Sequence, residues 1–223
     1  RKDKDARGIA EAAQKVLDRS GFHKEAFEQI ASIDLKKEEK GILSLSQDWQ
    51  IPFVTYTEEE LKDCIAKAYD SKFDTEEIAP MAKAGGMYFL ELFHGKTIAF
   101  KDMALSILPH LMTTAAKKNQ VDREIVVLTA TSGDTGKAAM AGFADVPGTR
   151  IIVFYPKGGV SRVQELQMRT QKGSNTSVVA IHGNFDDAQT GVKRLFGDQD
   201  LAKELADKGF QFSSANSINI GRL

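Results

Sequence analysis

Apolar residues recur along this chain with two different spacings. Ile9, Ala13, Val16 and Leu17 fall on one face of a modest amphipathic helix over 6–17, which Ser20-Gly21 would end. Leu61, Ile65, Ala68 and Tyr69 repeat that spacing and predict a buried stripe on a second helix. Thr57-Glu-Glu-Glu60 opens this helix with the separation of a capping box, in which Thr57 and Glu60 satisfy each other's backbone donors. Between the two, the charged stretch 34–41 predicts a solvated turn or helix end. Residues 87–92 are apolar, follow a double glycine and fit a strand. A long helix is expected from Asp102 through Met103, Leu105, Leu108, Leu111, Met112 and Ala115 to Lys118. Pro109 inside it should kink the helix or shift its start.

Near Val121 the pattern changes. Short β-branched runs at 125–130, 150–155 and 177–182 alternate with helical patterns at 136–144, 160–172 and 186–208. Such alternation argues for βαβ units on a parallel sheet, hence an α/β fold. Phe210-Gln-Phe-Ser213 reads as a further strand, one that leads back to the first lobe. The expected division is an atypical helical segment at 1–55, part of one lobe at 56–120, a small α/β lobe at 121–211, and a return toward the first lobe at 212–223.

Composition narrows the function. Thirty basic residues nearly cancel 31 acidic ones, so charge gives no case for nucleic acid or a membrane surface as partner. No apolar run approaches the ~20 residues that span a bilayer. Residues 1–7 lack the apolar core of a signal peptide, and the single Cys64 has no partner for an internal disulfide. A reducing, cytoplasmic setting is the expectation. The first residue is not methionine, which suggests a piece of a longer protein.

Two segments carry candidate chemistry. Lys101 follows Ala99-Phe100 at a predicted helix start. Partial burial there disfavours the ammonium, and a neutral amine attacks aldehydes. The competing reading is a surface lysine whose stem crosses apolar residues. Ser132-Gly-Asp-Thr-Gly136 links the apolar strand Ile125-Val-Val-Leu128 to a helix. Gly133 and Gly136 free backbone N–H groups there, the helix dipole adds positive potential, and Ser132 and Thr135 add hydroxyls, which suits a carboxylate or phosphate. An ordinary βα turn needs no ligand and stays open as the alternative. A nucleotide P-loop is rejected, because Thr131 stands at the first glycine position and Ala138 follows Lys137 where a hydroxyl is needed. His23, His94, His110 and His182 are scattered, without the spacing of a zinc site. His94 precedes Lys101 by seven positions and either acts in the site or packs. Lys157, Ser161, Arg162 and Gln164 follow a strand end, where α/β proteins bind ligands, although a charged loop explains them equally.

Five segments, in order, resemble threonine synthase. They are Leu90-Glu-Leu-Phe-His-Gly-Lys-Thr-Ile-Ala-Phe-Lys-Asp102, Ala130-Thr-Ser-Gly-Asp-Thr-Gly136, Tyr155-Pro-Lys-Gly158, Gly183-Asn-Phe-Asp-Asp-Ala188 and Ser214-Ala-Asn-Ser-Ile-Asn219. The resemblance extends from about 56 to 223. It implies a fold-type II, tryptophan synthase β-like enzyme of two α/β lobes with pyridoxal 5′-phosphate (PLP) between them. It implies Lys101 as the Schiff-base lysine, and Asp134 beside the cofactor. Ser132, Gly133, Thr135 and Gly136 would surround the substrate carboxylate. His94, Asn216, Ser217 and Asn219 would contact substrate, and Lys157 and Arg162 its phosphate.

The implied reaction turns the small-molecule substrate O-phospho-L-homoserine and water into L-threonine and phosphate, in a monomer or homodimer. The related outcomes are another fold-type II enzyme, such as a threonine dehydratase or cysteine synthase, or a non-catalytic binder of a phosphorylated amino acid. Two departures accompany the resemblance. Lys96 stands where the family usually has proline, and residues 1–55 lack the family's usual start. The family's second half, with the glycine-rich loop for the PLP phosphate, is expected beyond Leu223; without it the chain should bind PLP weakly and lack synthase activity.

Overall fold

The computed structural model describes residues 6–20 and 30–215. The chain divides into two compact units, Arg1–Asp63 and Cys64–Leu223. In the first, helix α1 (Ala6–Ser20) packs on α2 (Lys40–Trp49), and β1 (Ile30–Ile33) pairs in parallel with β2 (Phe53–Tyr56). Helix α1 buries Leu17, on the predicted face. Gly41 lets the two helices approach, because a Cβ there would sit 2.5 Å from Ile9 Cδ1. The charged stretch forms a single 3₁₀ turn, Asp34–Lys36, ahead of α2.

Helix α3 (Glu58–Ala68) begins with the predicted capping box: Thr57 N–H donates to Glu60 Oε2 (2.8 Å), and Glu60 N–H donates to Thr57 Oγ1 (3.2 Å). Its buried line differs from the predicted stripe. Cys64 and Ala68 are buried whereas Ile65 is 48% exposed. A thiol behaves as a small apolar group, and Cys64 Sγ packs 3.4 Å from Thr114 Oγ1.

The second unit opens with a hairpin of β3 (Met81–Ala84) and β4 (Met87–Leu90). Gly85 and Gly86 make its turn at φ 56° and 79°, the left-handed pair that a two-residue hairpin favours. Strand β3 was not expected, since Met81-Ala-Lys-Ala84 is too short to show a period. Met87, Tyr88, Phe89 and Leu90 are all exposed, so the ribbon is apolar on both faces. Helix α4 (Asp102–Lys118) keeps its predicted start and runs through a buried Pro109.

Four parallel strands form the sheet: β5 (Glu124–Ala130), β6 (Thr149–Pro156), β7 (Thr176–Ile181) and β8 (Phe210–Ser214), in the order β7-β6-β5-β8. Helices α5 (Asp134–Phe143), α6 (Arg162–Arg169), α7 (Phe185–Gly197) and α8 (Gln199–Asp207) connect them. Alternate residues of β5 serve two cores. Ile125 and Val127 pack with Leu105, Met140, Phe143 and Met168, whereas Val126 and Leu128 pack with Val192, Phe196 and Phe212. Two of the predicted segments take a different form. The helical pattern at 186–208 is two helices, broken where the Asp198 side chain accepts from Leu201 N–H (3.0 Å) and caps the second. The last strand lies in this sheet, paired to β5 as far as Ser214. Among the described residues no helix is long and apolar enough to cross a membrane.

The contact of α4 with α5 relies on two residues that propensity disfavours. Pro109 has no N–H to give the Leu105 carbonyl one turn earlier. Gly142 packs against that carbonyl, and a Cβ at 142 would overlap it. Substituting Gly142→Ala gains up to about 1 kcal/mol in helix propensity but meets backbone that cannot swing away, an overpacking cost of about 1–3 kcal/mol. The urea midpoint of Gly142→Ala should therefore fall. Gly191→Ala in α7, where a Cβ meets nothing within 4 Å, should leave the midpoint unchanged or raise it.

Candidate functional site

The strand order reverses at β5: β6 and β7 lie on one side of it and β8 on the other. In open α/β sheets, ligands bind at the carboxyl ends of strands beside such a reversal. The 131–136 loop leaves β5 at that point. Its shape comes from Thr131, 1% exposed, whose Oγ1 accepts from Gly133 N–H (3.0 Å) and Gly136 N–H (2.8 Å). Gly133 stands at the N-cap of α5 with φ 136°, a conformation L side chains rarely adopt. A Cβ at Gly136 would overlap Thr131 and crowd Val153. The loop thus delivers Asp134 and Thr135 to the first turn of α5, with Ser132 exposed beside them.

Lys101 arrives from α4, at its N-cap. The turn before it is held by Asp102, which is 3% exposed. Its carboxylate accepts from Thr97 N–H (2.8 Å) and from Thr97 Oγ1–H (2.6 Å), and a Cβ at Gly95 would overlap it. Between these residues Ile98 adopts φ 62°, an outlier for a β-branched residue. Strain of this kind persists where the surroundings over-determine it, and the Thr97–Asp102 pair does so here.

The two segments meet at one bond. Lys101 Nζ donates to Thr135 Oγ1 at 2.5 Å, and the side chain is half-buried. Among the described residues no carboxylate forms an ion pair with it. Asp134 accepts from Gln164 Nε2 (2.8 Å) and pairs with Lys137 Nζ (3.2 Å). Its carboxyl lies below the ordinary aspartate range, first through the Gln164 hydrogen bond, with burial opposing and Lys137 assisting. The result is an amine without a carboxylate partner, a hydroxyl and a helix N-terminus at one sheet end. That donor set fits an aldehyde-bearing group together with an anion.

Other predicted residues lie elsewhere or apart. His94 is clasped by two carboxylates, Asp74 Oδ1 at Nδ1 (2.6 Å) and Glu91 Oε2 at Nε2 (2.9 Å), and its ring stacks on Phe93. Its ring nitrogens are therefore committed away from the 132–136 loop. Lys157 and Arg162 are exposed, at the end of β6 and the start of α6, and neither side chain bonds to the loop. Asn216, Ser217 and Asn219 lie outside the described residues. Sequence reasoning missed Thr97, Asp102 and Thr131 as the supports of the site, and it left Gln164 as loop surface. A signal for Gln164 existed: Ser161-x-x-Gln164 has capping-box spacing, and the box is formed.

The fold and this end of its sheet define an α/β protein of the fold-type II class, whose members here are PLP-dependent. The comparisons narrow the class. Threonine synthase of Pseudomonas aeruginosa is 38% identical over 175 residues, which cover 77% of this chain and 36% of the relative. Human threonine synthase-like 1 is 38% identical over 170 residues, 73% of this chain and 22% of the relative. The PLP-bound structure of threonine synthase from Brucella melitensis superposes with a TM-score of 0.65 at 35% identity, over 74% of this chain and 34% of that one. Over about three quarters of its length this chain is homologous to threonine synthases, and it corresponds to an amino-terminal part of them. It spans between 22% and 36% of the length of these relatives. Separately, a family profile described as cobalamin synthesis G C-terminus matches residues 1–87.

The His94 clasp has a pH signature. Hydrogen bonds to Glu91 and then Asp74 raise the imidazole above the ordinary histidine value. A raised value means that the clasp stabilises fully below the ordinary histidine pKa and is lost as pH rises through the raised one. NMR titration should place the His94 midpoint above that of an unperturbed histidine, and the stability difference between wild type and His94→Gln should shrink across the same interval.

Proposed function

We propose that this chain supplies the amine and the substrate-carboxylate loop of a threonine synthase, which converts O-phospho-L-homoserine and water to L-threonine and phosphate. The observation that carries this reading is the Lys101 Nζ to Thr135 Oγ1 bond at 2.5 Å, at the start of α5. PLP, when bound, supplies an aldehyde for the amine and an electron sink for the carbanion chemistry. Lys101 would hold it and Asp134 would stand beside it.

The remaining chemistry belongs to side chains and backbone. The α5 N-terminus, with the Asp134 and Thr135 N–H groups, the Thr135 hydroxyl and exposed Ser132, grips the substrate carboxylate and so fixes the Cα–H bond toward Lys101, while Gly133 and Gly136, whose N–H groups go to Thr131, shape the loop around it. Thr135 Oγ1 orients Nζ, which takes the proton from Cα as general base and later returns it. In the net reaction a proton leaves Cβ, phosphate leaves Cγ with the electron pair of the C–O bond, a water hydroxyl bonds to Cβ, and Cγ gains a proton to become the methyl group; the proton left over goes to the phosphate. Lys157 and Arg162 are the cations offered to the substrate phosphate, and Asn216, Ser217 and Asn219 its further polar contacts. His94 acts at a distance, by fixing the segment that precedes Lys101. None of these residues lies within 1–87, the stretch that the cobalamin synthesis G profile matches.

Relatives named threonine synthase-like favour a second reading, a protein that binds a phosphorylated amino acid without turnover. Phosphate release by the full-length protein, measured together with its binding of O-phospho-L-homoserine, separates the two.

The lysine assignment is tested by trapping, which needs no turnover. Borohydride reduction after incubation with PLP should leave the pyridoxyl group on the peptide containing Lys101. Lys101→Ala should lower the trapped yield at least about tenfold and, in the full-length protein, abolish phosphate release. An unchanged yield in that variant, or labelling confined to other lysines, would overturn the assignment.

A further inference from the structure

The residue that ties the 132–136 loop to the rest of the sheet end comes from neither of its flanking elements. Gln164 lies in the first turn of α6, and its side chain reaches across to α5. Nε2 donates to Asp134 Oδ1 at 2.8 Å, while Oε1 accepts from Ser161 N–H (3.2 Å) and Ser161 Oγ–H (3.0 Å). Its own backbone N–H closes the capping box on Ser161 Oγ (3.3 Å). The carboxamide also lies against Gly133, where any Cβ would overlap it. One side chain thereby joins two helix N-termini that follow neighbouring parallel strands.

We propose that Gln164 is a positioning residue for the candidate site: it sets the aim of the 132–136 donors, and it must be an amide because it donates at one end and accepts at the other. Only Asn and Gln have both functions on one planar group, and the span from α6 to α5 takes the longer of the two. An ionised glutamate accepts at both ends. It would leave Asp134 without this donor and place a second negative charge beside it. Lys137 is the nearest cation to Asp134, and Lys101 adds a weaker attraction. On the α6 side, Glu165 is already engaged by the Tyr155 hydroxyl (3.0 Å) and Arg169 (3.6 Å), so neither of those groups is free to compensate. A protonated glutamate regains one O–H donor. The defect caused by Gln164→Glu should therefore reverse on acidification, which simple loss of packing would not do.

The test uses ligand-free protein, so it stands apart from the question of what the site binds. Amide hydrogen exchange of 133–136, corrected for intrinsic rates, is compared between pH 4 and pH 7.5 in wild type, Gln164→Glu and Gln164→Leu. At pH 7.5 both variants should exchange about tenfold faster than wild type, the loss of one charge-assisted hydrogen bond. At pH 4, below the ordinary glutamate pKa, which the negative Asp134 beside it raises further, Gln164→Glu should approach wild type while Gln164→Leu should not. NMR titration of the Asp134 carboxyl should show its midpoint rising in Gln164→Leu. Circular dichroism confirms that each variant is folded; should Gln164→Leu not fold, the pH reversal in Gln164→Glu decides alone. Wild-type exchange in Gln164→Glu at pH 7.5, or a defect of equal size at both pH values, would overturn the proposal.

Discussion

Helix α4 can deliver an amine to the start of α5 only because the two helices touch backbone to backbone. Gly142 supplies the missing Cβ, and Pro109 leaves the Leu105 carbonyl without its usual intrahelical donor. A larger residue at 142 would push α4 outward, and a lysine side chain has limited reach with which to compensate. The bond from Lys101 to Thr135 is thus set by packing two turns away as much as by the residues that form it. Interiors are close-packed and transmit small displacements, so this contact and the Thr97–Asp102 lock act as the two supports of one lysine.

Much of the second unit was legible in the sequence because its physics is local. The β-branched runs found β5, β6 and β7, and the glycine spacing of 131–136 found the loop. What escaped depends on partners distant in the chain. Cys64 is buried because Thr114 lies against it. Asp198 divides a continuous helical pattern because its side chain caps the second half, and a count of apolar positions does not register a cap. The Phe210 strand returns to the sheet through pairing with β5, and nothing in five residues states which neighbour a strand will choose.

At the site the asymmetry is sharper. Lys101, Ser132 and Thr135 were identifiable, since an amine and hydroxyls at a helix start have recognisable chemistry. Their supports were not. Asp102 read as one more acidic residue at a helix start, and its burial under Thr97 follows only from the turn it closes. His94 drew attention as a histidine near a lysine, yet the carboxylates that clasp it, Asp74 and Glu91, are visible only in three dimensions. Gln164 was placed with a charged loop, although the spacing from Ser161 already encoded its cap.

The ribbon formed by β3 and β4 has a consequence for how the protein behaves in bulk. Apart from Lys83 its side chains are oily above and below, and its outer edges offer unpaired peptide groups to any extended backbone that diffuses past. Glycines at its tip leave no bulky residue to deter stacking. An apolar ribbon with open edges is a seed for strand-by-strand association, and Lys83, whose ammonium lies over the Tyr88 ring, is the charge set against it.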